Sequence, residues 1–287
     1  CAQPGYCFVD FFNEAGERNY ADNYSSVDAS EAYAPQSAIF MARAEAERGT
    51  VGFRPLAGTL DVRNVRVRAV EREDALAWMD ALYAALPDVR PELDGERWTL
   101  LPRLREALRA GRTLRVVALG DSISNDMLNG LGHLLIERDY PGTTWVPIHA
   151  NGPEKSCENY RPDEVLQRLV IRHRPDFFTL AGMSHAPEHA RTVIDKVRKT
   201  CDNVETVYFD VRVDGDPAPD ERRARLEQLQ RMGEEDGFAV WDMTTPFQEC
   251  LQRADQPLAW FQRDDHHVND RGKQLLGRLY AAYFSGA

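Results

Sequence analysis

Two segments far apart in the chain carry residue types that work together in nucleophilic catalysis. Gly120-Asp121-Ser122-Ile123-Ser124-Asn125-Asp126 follows a β-rich run from Leu114 to Leu119 and leads into helix-forming sequence. Ser122 is therefore expected near a helix N-terminus, where backbone N–H groups lack intrahelical partners and favour developing negative charge. The same composition also fits a plain helix start, in which Ser122 or Ser124 does no more than cap. Asp264-Asp265-His266-His267-Val268-Asn269-Asp270-Arg271-Gly272 lies just ahead of the last apolar-periodic segment. A serine hydroxyl is a poor nucleophile near neutral pH until an imidazole takes its proton, and the imidazole needs a carboxylate to fix its tautomer and stabilise its charge. Asp264 and His267 can supply both. In a loop entering a helix, the i−3 carboxylate of Asp264 can curl back to the ring, whereas Asp265 is expected to project elsewhere.

Rival constellations are weaker. His185-Ala186-Pro187-Glu188-His189 has the H-x-x-E-H spacing of inverted zinc peptidases, which requires both histidines on one continuous helix. Pro187 suits a first helical position and would leave His185 outside that helix. Asp264 to His267 are adjacent side chains that diverge, with no third ligand cluster, so no metal site is expected there. The sequence holds neither G-x-x-x-x-G-K-[ST] nor G-x-G-x-x-G, which removes the usual phosphate-cradle and dinucleotide readings. The 5 cysteines are an odd number in no CxxC spacing and define neither a disulfide framework nor a metal centre. No cofactor is expected.

The elements that must position these residues read as an α/β pattern. Leu114 to Leu119, Trp145 to Ile148, Asp176 to Leu180, Val204 to Phe209 and Phe238 to Trp241 are short β-rich runs. Helical patterns over Asp126 to Arg138, Asp163 to His173, Pro187 to Lys199, Pro219 to Met232 and Asn269 to Phe284 separate or follow them. Such βαβ repeats imply a five-stranded parallel sheet covered on both faces, with reactive groups at the carboxyl ends of its strands. Residues 113–287 are expected to form this domain. Residues 1–70 read as a small β-rich region, with strands over Cys7 to Phe12, Ser37 to Ala44, Gly49 to Arg54 and Thr59 to Arg68, too few to close a sandwich. Tyr6, Phe8, Phe11, Phe12, Tyr20, Tyr24 and Tyr33 crowd that region, where core packing is favoured over a sugar-stacking platform. Residues 71–112 read as a helical linker, with one apolar stripe from Leu76 to Leu86 stopped by Pro87 and a second helix from Trp98 to Leu108.

The 287 residues carry 35 Lys and Arg against 46 Asp and Glu, a net charge of −11 that disfavours nucleic acid and anionic lipid surfaces as partners. No apolar run approaches the roughly 18 residues that a membrane helix needs.

The Gly-Asp-Ser turn after the first parallel strand, together with a late Asp-x-x-His, resembles the SGNH or GDSL-type hydrolases over residues 114–284. The resemblance implies a three-layer α/β/α, flavodoxin-like fold and a serine esterase in which Ser122 is the nucleophile, His267 the base and Asp264 its partner. It further implies an oxyanion site with a donor at Gly152 and another in the Gly182-Met183-Ser184 block. Ser184 stands where the family carries asparagine, and the neighbouring His185 is the alternative donor. The implied substrate is a small-molecule or polysaccharide ester, an acyl and foremost an acetyl ester on a carbohydrate, with no cofactor. A lipase or thioesterase, and a carbohydrate-binding protein with weakened catalysis, remain as alternatives. A secreted or periplasmic location is implied by the same analogy, although no leader is visible at the start of the sequence.

Overall fold

The computed structural model describes residues 5–16, 18–27, 35–42, 46–55, 60–91, 93, 95–151 and 155–287. Five parallel strands form the main sheet among these residues: β4 (Thr113–Gly120), β5 (Thr144–His149), β6 (Phe177–Ala181), β7 (Glu205–Asp210) and β8 (Ala239–Asp242), in the order β5-β4-β6-β7-β8. They coincide with the five expected runs to within a residue or so. The chain leaves β4 for one edge and then crosses back to β6, so the strand order reverses around β4. In such doubly wound sheets the crevice for a ligand opens beyond the carboxyl ends of the strands at this reversal.

Alternate residues of β4 feed two cores, one on each face of the sheet. Val116 and Ala118 pack with the helices α1 (Arg72–Tyr83), α2 (Pro102–Arg109), α3 (Ser122–Asn129), α4 (Gly132–Asp139), α9 (Thr244–Ala254) and α10 (Asp270–Tyr283). Val117 and Leu119 pack with α5 (Cys157–Tyr160), α6 (Asp163–Leu169), α7 (Pro187–Thr200) and α8 (Pro219–Asp236). This is a three-layer α/β/α architecture. The segment expected to link two regions contributes Met79, Leu104 and Leu108 to the first of these cores. α2 is further tied to the sheet by Glu205, whose carboxylate accepts from the N–H groups of Arg103 and Leu104 at 2.9 and 2.8 Å.

Local differences from expectation have identifiable causes. The single helix expected over Asp126 to Arg138 is two helices, broken at Gly130 and at Leu131, whose φ is +56°. Gly130 and Gly277 of α10 meet backbone to backbone there; a Cβ on Gly130 would lie 2.2 Å from the Lys273 carbonyl oxygen. The helix expected from Trp98 becomes a 3₁₀ turn over Gly95–Leu100, after which α2 starts afresh at Pro102. Helices α5 and α9 were not anticipated.

The N-terminal region forms a three-stranded antiparallel sheet among the described residues, β1 (Gly5–Phe12), β2 (Arg18–Val27) and β3 (Arg48–Pro55), in the order β2-β1-β3. β2, with the polar sequence RNYADNYSSV, carries no alternation that would mark it. Two expected strands are absent from the described residues. Residues 35–42, covering most of the run from Ser37 to Ala44, are irregular, as are residues 60–68 of the run from Thr59 to Arg68. In the latter Val62, Val65 and Val67 are 40, 53 and 76% exposed, and Asn64 has φ +56°. Among the described residues the alternation there meets no neighbouring edge to pair with, and a left-handed residue, Asn64, interrupts the extended backbone.

Candidate active site

The turn from β4 into α3 is organised by Asp121. It caps α3, its Oδ1 accepting from the N–H groups of Ile123 and Ser124 at 3.0 and 3.3 Å. Its Oδ2 reaches across to the end of β6 and accepts from the N–H groups of Met183 and Ser184 at 3.0 and 3.2 Å and from the Ser184 hydroxyl at 2.8 Å. One buried carboxylate thus closes the ends of β4 and β6 together. Gly182 is required by this approach: its φ is +143°, and a Cβ there would lie 2.5 Å from the Asp121 carboxylate. Gly120 is similarly constrained, since its Cβ would lie 2.1 Å from the Ala181 carbonyl oxygen. Ser122 then becomes the first residue of α3, where its N–H has no partner within the helix.

The second half of the site is a tight loop between the 3₁₀ turn Leu258–Trp260 and α10. A bridge between Gln262 and Val268 closes it, helped by bonds from Arg263 N–H to the His267 carbonyl at 3.0 Å and from Asn269 N–H to the Phe261 carbonyl at 2.8 Å. Asn269 caps α10 by accepting from the N–H groups of Arg271 and Gly272. Inside the loop the Asp264 carboxylate curls back onto the N–H groups of His266 and His267, both at 2.9 Å, as expected of an i−3 side chain. The loop is pinned to α3 by Asp126, whose two oxygens receive Arg263 Nη1 at 3.0 Å and the Val268 N–H at 3.2 Å.

These two halves bring Ser122, His267 and Asp264 into one hydrogen-bonded chain. His267 Nδ1 lies 2.8 and 3.0 Å from the two Asp264 oxygens, and Nε2 lies 2.8 Å from Ser122 Oγ. With Nδ1–H donating to the carboxylate, Nε2 is left as the acceptor for the Ser122 hydroxyl. Burial raises the Asp264 pKa, but the bonds from His267 and the His266 N–H outweigh it and hold the carboxyl well below the usual carboxylate range. Burial would lower the His267 pKa, yet the bond to Asp264 and the charge of Asp126 overcome it, with Arg263 opposing, so the imidazole is held above its ordinary value. A basic imidazole beside a hydroxyl at a helix N-terminus can take the hydroxyl proton and return it to a leaving group. Asp265 and His266 are exposed on the same loop.

Of the residues expected on the oxyanion side, Ser184 and His185 are engaged within the protein. Gly152 lies outside the described residues. The one proton of the Ser184 hydroxyl goes to Asp121. His185 is 1% exposed, its Nδ1 accepting from the Cys157 N–H at 3.2 Å and its Nε2 lying 3.0 Å from the Ala181 carbonyl oxygen. Burial lowers its pKa, and this neutral ring with both nitrogens engaged knits β6 to α5 rather than offering a donor to substrate. Pro187 is the first residue of α7, so His185 precedes the helix that carries His189. Among the described residues no cluster of three His, Cys, Asp or Glu side chains is arranged to hold a metal ion.

Several supporting residues went unrecognised. Asp126 sits one turn after Ser122, and Arg263 directly precedes Asp264, spacings that hint at a link only once the loop is known to fold over α3. Arg225 of α8 holds the loop after β6 from behind, donating to the carbonyls of Met183 and His185 at 3.1 and 3.3 Å and pairing with the fully buried Asp210. Burial pushes the Asp210 carboxyl up to about 6 in spite of Arg225.

No protein-family model matches the chain, and no curated protein matches its sequence. Solved structures do resemble it. A two-domain esterase active on acetylated mannans superposes with a TM-score of 0.53 at 14% identity over 65% of this chain and 52% of that one. The same esterase co-crystallised with mannopentaose gives 0.51 at 15% identity, over 70% of this chain and 55% of the other. An acetyl-xylooligosaccharide esterase from Geobacillus stearothermophilus, carrying one substitution, gives 0.50 at 14% identity over 61% of this chain and 95% of that one. The fold is that of the SGNH hydrolases. This chain spans about half the length of the two-domain esterase (52%). In the SGNH fold observed here, the Ser122 turn follows the strand at the reversal of the sheet, and the loop of Asp264 and His267 leads into the last helix, α10.

Proposed function

We propose that the protein is a serine ester hydrolase acting on acyl, foremost acetyl, esters of carbohydrates. The observation that carries this reading is the hydrogen-bonded chain Ser122–His267–Asp264 beyond the carboxyl end of β4. Ser122 Oγ attacks the ester carbonyl carbon while His267 Nε2 takes its proton, and Asp264 stabilises the imidazolium through Nδ1–H. The oxyanion forms against the N-terminus of α3, where the Ser122 N–H is a donor. A second donor at Gly152 follows from the SGNH resemblance. His267 then protonates the departing sugar oxygen, leaving Ser122 acylated. Water, deprotonated by His267, attacks the acyl carbon, and the imidazolium returns that proton to Ser122 Oγ as the acyl–oxygen bond breaks, releasing the carboxylic acid and the free serine. Every step runs on this chain's side chains and backbone, with no cofactor. The acetyl and carbohydrate parts of the reading are supported by the acetylated mannans and acetyl-xylooligosaccharides that the structural neighbours act on.

A panel of acetylated xylan, acetylated mannan, short aryl acetates and longer-chain aryl esters tests the proposal. Acetate release from a polysaccharide, together with aryl acetate turnover, is expected. Turnover confined to the longer acyl chains would move the assignment to a lipase or thioesterase. Sugar binding without any ester turnover would move it to a binding protein.

A further inference from the structure

We propose that the N-terminal sheet is a working part of this site: Tyr24 of β2 fixes the Arg263 guanidinium, which ties α3 to the Asp264–His267 loop and so positions His267 on Ser122. The inference rests on the esterase reading for its kinetic consequences, while the positioning itself is a property of the resting protein.

Arg263 is the joint. Its Nη1 donates to Asp126 Oδ1 at 3.0 Å and to the Val268 carbonyl at 3.3 Å, and its Nε lies 3.7 Å from Asp264 Oδ2. Its backbone N–H bonds the His267 carbonyl. One side chain therefore spans the helix that carries Ser122 and both sides of the loop that carries His267. The pair is scarcely solvated, at 6% exposure for the Arg263 side chain and 0% for that of Asp126. A buried ion pair holds its geometry only while both partners stay in place, because an uncompensated charge there is costly.

Tyr24 covers this joint, its ring centre 4.8 Å from the guanidinium carbon of Arg263, a range in which an aromatic face attracts a cation. The ring is itself held. Tyr6 meets it edge-on at 4.8 Å and Phe8 lies at 5.8 Å, both from β1. The Tyr24 carbonyl accepts from Lys273 Nζ, and the next residue, Ser25, donates its hydroxyl to Asp270 Oδ2 at 2.5 Å. Two consecutive residues of β2 thus grip the start of α10 and the side chain that organises the loop before it. A sheet that served only as a neighbouring module would not need to reach the loop carrying the base.

Perturbing the joint has a signature beyond stability. The charges facing His267 are Asp264 and Arg263 from its own loop and Asp126 from α3, with Lys273 and Asp270 of α10 next to that pair. Asp126 raises the imidazole pKa and Arg263 lowers it. Loosening Arg263 from Asp126 leaves the carboxylate less neutralised, so the His267 titration moves upward.

The test uses the full chain with Tyr24→Phe, Tyr24→Leu, Tyr24→Ala and Arg263→Lys. Each is measured for kcat and KM on an aryl acetate, for the His267 titration by NMR in the absence of substrate, and for Tm. Misplacements near 1 Å in a reacting geometry cost up to about 100-fold. On that scale Tyr24→Leu, which keeps apolar volume but has no aromatic face, is expected to lower kcat about tenfold with KM within about twofold, and to raise the His267 titration. Tyr24→Phe restores most of both. Arg263→Lys, which keeps the charge but loses the fork, behaves like Tyr24→Leu, and Tyr24→Leu carries the test should Tyr24→Ala fail to fold. A Tyr24→Leu protein with lowered Tm but wild-type kcat and titration overturns the proposal, as does equal damage from Phe and Leu. If the wild type hydrolyses no ester while the titration still follows the aromatic face, the esterase reading falls and the positioning role stands.

Discussion

β6 and β3 show how differently two sheets of one chain are held. Every residue of β6 is buried, between helices on both faces, whereas β3 is exposed along nearly its whole length, with Val51 and Phe53 at 36 and 37%. The parallel sheet is the rigid frame on which the ends of β4 and β6 are closed by Asp121. The small antiparallel sheet contributes little core of its own and bears on the site through one strand, β2. Burial therefore follows the frame that carries the ends of β4 and β6, and the marginal sheet matters where it touches the site.

The sharpest way to break this contrast is at the site itself. Asp264→Asn keeps the shape of the loop but removes the charge that fixes the imidazole tautomer, and it is expected to lower aryl acetate kcat by about 10⁴-fold, the scale seen when a triad carboxylate is neutralised. Asp265→Asn, on the exposed neighbour, should stay within about twofold. The reverse order would reassign the carboxylate.

A second comparison sets core against surface. Phe178 of β6 is 0% exposed, and Phe178→Ala should cost about 3–5 kcal/mol in denaturant unfolding. Phe53→Ala on β3 should cost about 0.5 kcal/mol or less, as surface changes do. Similar values for the two would mean that the small sheet is anchored more firmly than its exposure implies.

Ser184→Ala has a smaller effect. Removal of an oxyanion donor costs about 10²- to 10³-fold in turnover. A hydroxyl already given to Asp121 instead predicts a loss of about tenfold or less, accompanied by a lower Tm, when steady-state kinetics and melting are compared. The pH profile sharpens the same geometry. Catalysis needs neutral His267, whose pKa stands above the ordinary 6.5, so kcat/KM should fall with decreasing pH through a value above 6.5. Any activity left in Asp264→Asn should show that acid limb at lower pH.

What could be read from the sequence follows the same division. The strands of the parallel sheet announce themselves because burial on both faces favours unbroken apolar runs such as Val116 to Leu119. Ser122, Asp264 and His267 stood out because their types and local settings suit one chemistry, and they do lie within hydrogen-bond distance. β2 was invisible because its register is set by pairing with β1, not by its own polar residues. The break between α3 and α4 depends on Gly130 meeting Gly277, a tertiary contact no local pattern contains. The same holds for Asp121 reaching Ser184, for His185 turning inward to Cys157, and for Arg263 bridging to Asp126: each is a long-range polar contact whose partner is chosen by the fold.

The central claim is that Ser122 becomes acylated with His267 as its base. Reaction of the full chain with an aryl phosphonate ester, followed by peptide mass mapping, tests it most directly. The account predicts one stoichiometric adduct on Ser122, formed far more slowly in His267→Ala and absent from Ser122→Ala. An aryl acetate turned over by Ser122→Ala at the wild-type rate, or an adduct on any other residue of an active protein, would contradict it.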